Sequence, residues 1–98
     1  MKQFQITVQL PDEFSEEFIS RIPAQRSMVN GLMRKGIILS YSLSMDRSRL
    51  WIVMEAESEN NVIEILSRFP LIRYMAPEIT ELLFHNSVYI NVPKVSLN

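Results

Sequence analysis

Residues 3–10 alternate without a break: Phe4, Ile6, Val8 and Leu10 fall on one side, Gln3, Gln5, Thr7 and Gln9 on the other. A period of two held over eight residues marks a half-buried β-strand and does not fit a helix, whose period is 3.6. A strand that opens the chain needs neighbours to pair with, so the fold must contain a sheet. The polar side carries three amides and a hydroxyl but no charge, which suits the lining of a polar cavity as well as solvent. With 98 residues in all, the chain has room for one small domain and one core.

The elements that follow set the order. Pro11 ends the strand, and Asp12, Glu13 and Ser15 are candidate caps for a helix with Glu16 and Glu17 in its first turn. Phe14, Phe18 and Ile22 recur every four residues, Met28, Val29, Leu32 and Met33 continue the stripe, and Gly36 stands where a helix stops. Pro23 removes a backbone donor inside this stretch, which predicts a kink or two helical pieces. Gln25 falls within the apolar stripe. A buried amide needs partners, so Gln25 either bonds the backbone near Pro23 or faces a polar pocket.

Two further alternating runs, 37–45 and 49–57, flank a short turn at Asp46 and Arg47 and read as a β-hairpin without the usual glycine. The second run is apolar on both faces through Val53, as a central strand is. Ser58 caps a second helix with Val62, Ile65, Leu66 and Phe69 on one stripe, Pro70 stops it, and residues 78–85 form a last strand. The order is β-α-β-β-α-β, an α+β ferredoxin-like unit with an antiparallel sheet and two helices on one face. With Phe4, Ile6 and Val8 under the helices, Leu50, Ile52 and Met54 are expected to point the other way. An apolar open face implies a second copy and a dimeric α+β barrel. Val88, Ile90 and Val92 alternate with polar neighbours. Residues 1–87 therefore read as the domain and 88–98 as an arm, long enough (at most about 43 Å from His85) to pack on a neighbouring subunit.

Several functions are excluded. Ten basic against eleven acidic residues give a net charge of −1, which argues against nucleic acid. There is no cysteine and a single histidine, so no metal site is expected. Two glycines cannot build a phosphate loop. No run is long and apolar enough for a membrane, and Met1–Phe4 leads straight into the strand with no signal core, so the expected location is cytoplasmic. Trp51 and Tyr41 read as aromatics packed on the sheet, Arg21, Arg26, Arg34 and Lys35 as a solvated helix face, and His85 as a structural residue.

Val8-Gln9-Leu10-Pro11, Arg34-Lys35-Gly36, the stretch Phe69-Pro70-Leu71-Ile72-Arg73-Tyr74-Met75 with Glu78, and His85-Asn86-Ser87 together resemble the muconolactone delta-isomerase family. The register holds over residues 4–88. The resemblance implies the ferredoxin-like fold, dimers with exchanged tails that assemble into decamers, and a double-bond shift in a lactone during aromatic catabolism, with no cofactor. Such chemistry needs a positioned base and donors for the developing enolate. The family's isomerases place a glutamate in the first helix, and a tyrosine and an asparagine early in the third strand. Here those positions hold Gln25, Ser48 and Leu50, which supply neither base nor phenol nor donor. The resulting expectation is a divergent homologue of unknown substrate, with Glu55, Glu78, Glu81 and His85 as substitute bases. The alternatives are a non-catalytic module for a small hydrophobic or lactone-like ligand, and a cofactor-free monooxygenase on the same barrel.

Overall fold

The computed structural model describes residues 1–88, and the elements follow the expected order. They are β1 (Lys2–Gln9), α1 (Glu16–Arg34), β2 (Ile38–Leu43), β3 (Arg49–Ala56), α2 (Glu59–Leu66), a 3-10 turn (Ile72–Tyr74) and β4 (Ala76–Leu82). The strands form one antiparallel sheet in the order β2-β3-β1-β4. This is the ferredoxin-like α+β fold, and β3 is an interior strand as its two apolar faces require.

Register decides what each face carries. Phe4 pairs with Met54, Ile6 with Ile52 and Val8 with Leu50. Residues directly opposite one another in an antiparallel pair lie on the same face, so Leu50, Ile52 and Met54 join Phe4, Ile6 and Val8 beneath the helices. All six are buried. This overturns the expectation that the β3 trio faces away from the helices: β1 and β3 pair directly and in phase, with no offset to separate their apolar sets. The outer face carries instead Gln3, Gln5, Thr7 and Gln9 beside Glu55, Val53, Trp51 and Arg49. Thr80 and Glu78 lie on its other flank.

β2 departs from strict alternation. Its register shifts between Ile38, opposite Met54, and Ser40, opposite Val53. The extra residue of a bulge reverses the phase of the strand. Ile38 therefore reaches the core, while beyond the bulge Tyr41 and Leu43 are the residues on the inner side, opposite Ile52 and Leu50.

Helix α1 begins at Ser15, whose hydroxyl accepts from the Phe18 amide at 3.1 Å. At its end Gly36 takes φ 75°; its amide bonds the Met33 carbonyl and that of Ile37 bonds Leu32. This left-handed closure is open to glycine at little steric cost. The helix runs unbroken through Pro23, so the expected division into two pieces does not occur. Pro23 lies on the exposed side, and Phe18, Gln25 and Val29, on either side of it along the helix, are buried. Ser58 caps α2, accepting from the Asn61 amide at 3.1 Å. β4 ends at Leu82, so Leu83, Phe84 and His85 lie beyond the sheet rather than within it. The predicted arm lies, apart from Val88, outside the described residues.

Candidate functional site

Between α1 and the inner face of the sheet lies a cavity of about 390 Å³. The helix contributes Phe18, Ile22, Val29 and Met33, the sheet Leu43 and Leu50, and the link between β1 and α1 adds Leu10 and Phe14. Leu71 and Met75, on either side of the 3-10 turn, close another wall. The polar residues at its surface are Gln25, Arg26, Asn30 and Tyr41. Among the described residues that line it there is no carboxylate and no imidazole.

Gln25 is 4% exposed, and both ends of its amide are engaged. Its Oε1 accepts from the Leu71 backbone amide at 3.2 Å. Its Nε2 donates to the Tyr41 hydroxyl at 3.3 Å. A peptide N–H only donates, which fixes which end of the side chain is the oxygen. The sequence offered the Pro23 backbone or a polar pocket as partners. The amide bonds instead the segment after Pro70 and a neighbouring phenol, at the edge of a largely apolar cavity. Burial pushes the Tyr41 pKa above its ordinary value, opposed in part by the bond from Gln25. The phenol is therefore neutral at pH 7.

The segment 69–75 is tied to α1 a second time. Glu17 accepts from the Tyr74 hydroxyl at 2.6 Å and from Arg73 at 2.8 Å, with Arg21 at 3.6 Å. The Tyr74 bond first, and Arg73 next, hold the Glu17 carboxyl below its usual range. The Phe18 ring stacks on Phe14 and meets Tyr74 edge-on.

The other sequence candidates are scattered. Gln25 and Leu50 both line the cavity. Ser48 lies in the turn before β3, where its hydroxyl donates to Asp46 at 2.7 Å. Glu78 is exposed on the outer face, opposite Thr7. Glu55, also toward the outer face, accepts from Gln3 at 3.4 Å, and Glu81 reaches Lys2 at 4.0 Å. His85 is held by its backbone amide, which donates to the Gln3 side chain at 3.1 Å. None of these five lines the cavity. Tyr41, read from the sequence as packing, is part of its polar edge, and Arg26 belongs to its rim rather than wholly to a solvated face. The bulge in β2 placed Tyr41 there, and a bulge leaves no mark in simple alternation. No cluster of three potential metal ligands exists among the described residues.

The sequence profile of the muconolactone delta-isomerase family matches residues 3–88. The chain belongs to that family. A solved muconolactone isomerase superposes with a TM-score of 0.68 at 19% identity, covering 92% of this chain and 97% of that one. A 5-chloro-2-hydroxyhydroquinone dehydrochlorinase from Burkholderia phenoliruptrix, in complex with 2,5-dihydroxybenzoquinone, superposes with a TM-score of 0.66 at 18% identity, covering 80% and 90%. At such identities the likeness establishes a common fold. Among curated proteins, none matches this sequence. No described helix of this family member is long and apolar enough to cross a membrane.

Proposed function

We propose that this member of the muconolactone delta-isomerase family binds a small, mainly apolar ring compound in the cavity beneath α1, and that it does not carry out the lactone proton shift through a carboxylate. The observation that carries this reading is the cavity lining. Its walls are aliphatic and aromatic, its polar edge is an amide, a neutral phenol, an asparagine and an arginine, and Gln25 cannot accept a proton at neutral pH. A volume of about 390 Å³ lies within the usual range for small-molecule sites. The dehydrochlorinase that shares the fold was solved with a dihydroxybenzoquinone, which supports a flat ring compound as the ligand class.

The test is proton NMR of muconolactone with the protein in deuterated buffer. The expected result is saturation transfer to the ring protons with no deuterium uptake above a protein-free control. Isomerised product or site-specific exchange would overturn the reading and direct attention to Glu55, Glu78, Glu81 and His85.

We propose also that two copies associate through the outer sheet face. β1 presents four uncharged polar residues there, Trp51 adds exposed apolar surface beside them, and the charged residues of the face are Arg49 and Glu55 near the ends of β3 and Glu78 on β4. The uncharged stripe of β1 across the middle of this face suits burial better than a row of lysines and glutamates would.

A further inference from the structure

The hydrogen bonds around Gln25 form a chain with a fixed direction, and its last member has a proton to give. The Leu71 amide donates to Gln25 Oε1, and Gln25 Nε2 donates to Tyr41 Oη. Tyr41 therefore acts as an acceptor within the protein. Its own O–H is donated to no group among the described residues, and the residue lines the cavity. A phenol that accepts one hydrogen bond becomes a better donor through polarisation. We infer that Tyr41 is the specificity-determining residue of the cavity, its hydroxyl oriented by Gln25 to donate to a carbonyl oxygen on the ring compound, so that ketone, enone or quinone ligands are preferred over the corresponding alcohols.

The direction of the chain makes this a selection rule. A ligand hydroxyl that needs to donate finds the acceptor side of Tyr41 already occupied by Gln25, whereas a carbonyl needs only the proton that remains. The raised pKa of Tyr41 agrees, because it keeps that proton in place across the neutral range. Arg26 at the rim adds a second donor and no acceptor, while Asn30, whose amide oxygen can accept, is solvent-exposed. This inference rests on the proposal that the cavity binds apolar ring compounds, and the probes separate the two.

The probes are indane, 1-indanone and 1-indanol, which share one ring skeleton and differ at one oxygen. Affinities are measured by NMR titration, and the carbonyl stretch of bound 1-indanone by infrared difference spectroscopy. The expected result is that 1-indanone binds about five- to tenfold more tightly than 1-indanol, with its carbonyl stretch moved to lower wavenumber. In Tyr41→Phe, with folding checked by circular dichroism, the preference is expected to vanish and the stretch to return toward its value in alkane. Equal affinities for ketone and alcohol in the unaltered protein, an unshifted stretch, or a preference that survives Tyr41→Phe would each overturn the inference. The infrared measurement on the unaltered protein decides the matter even if the variant fails to fold. Binding of indane with no ketone preference defeats the Tyr41 role alone, whereas no binding of any of the three defeats the ring-binding cavity and the role together.

Discussion

Gln25 joins three parts of the chain: it sits on α1, accepts from the backbone after Pro70, and donates to a side chain of β2. Gln25→Leu keeps the bulk and the apolar stripe but leaves the Leu71 N–H buried without an acceptor. The expected cost is about 1–3 kcal/mol of stability, read from urea unfolding; a loss of only a few tenths would show that another acceptor takes over. A second polar centre lies in the turn before β3. Asp46 accepts from the Ser44 hydroxyl and from both the amide and hydroxyl of Ser48, and these bonds, those of Ser48 foremost, lower its pKa to about 2. A carboxyl depressed in the folded state adds stability that is complete above its unfolded pKa, near 3.8, and lost as the pH falls through about 2. The turn is thus expected to loosen between about pH 4 and pH 2. Ser48→Ala should move the Asp46 midpoint upward toward 3.8, measured by carbon NMR of the carboxyl; an unmoved midpoint would assign the shift elsewhere. These bonds also account for a hairpin without glycine, since they hold Arg47 at φ 65°.

At the scale of elements, local patterns carried most of the fold. Ser15, Gly36 and Ser58 marked three helix ends, and the alternation of β1 marked its inner side correctly. Two features lay beyond local pattern. The side of the sheet taken by Leu50, Ile52 and Met54 depends on which residue of β1 stands opposite each of them, a pairing between positions more than forty residues apart. The inward turn of Tyr41 depends on a bulge, which alternation by itself conceals. The cavity was legible to the same degree: Gln25 stood out as an amide in an apolar stripe, but Leu71 and Tyr41 as its partners required the tertiary pairing. Pro23 is a third instance, where packing overrode a local signal. Because it lies on the exposed side of α1 and contributes no core contact, Pro23→Ala should restore the missing backbone bond and raise stability on the order of 2–3 kcal/mol, seen as a higher urea midpoint with unchanged slope. No gain would mean that the helix has already adapted to the proline.

For the molecule as a whole, the sheet divides two environments: the cavity and core beneath the helices, and the outer face on the other side. The chain that leaves β4 adds to the apolar surface, since Leu83, Phe84 and Val88 are all exposed. Deleting residues 88–98 is expected to weaken self-association, observed as a fall in mass by light scattering on dilution while the circular dichroism of the domain is retained. A mass that does not change would remove the arm from the interface and leave the outer sheet face to account for any association.

The bond from the Leu71 amide to position 25 has a consequence for how such a protein changes over generations. What the fold asks of that position is a side-chain oxygen at the right reach, and glutamate meets this demand as well as glutamine does. Exchanging one for the other swaps a single terminal group, after which the phenol of Tyr41 needs only to rotate its hydrogen to donate inward. On this scaffold a proton-accepting group can therefore enter or leave the cavity by one substitution at position 25 with no rebuilding of the backbone.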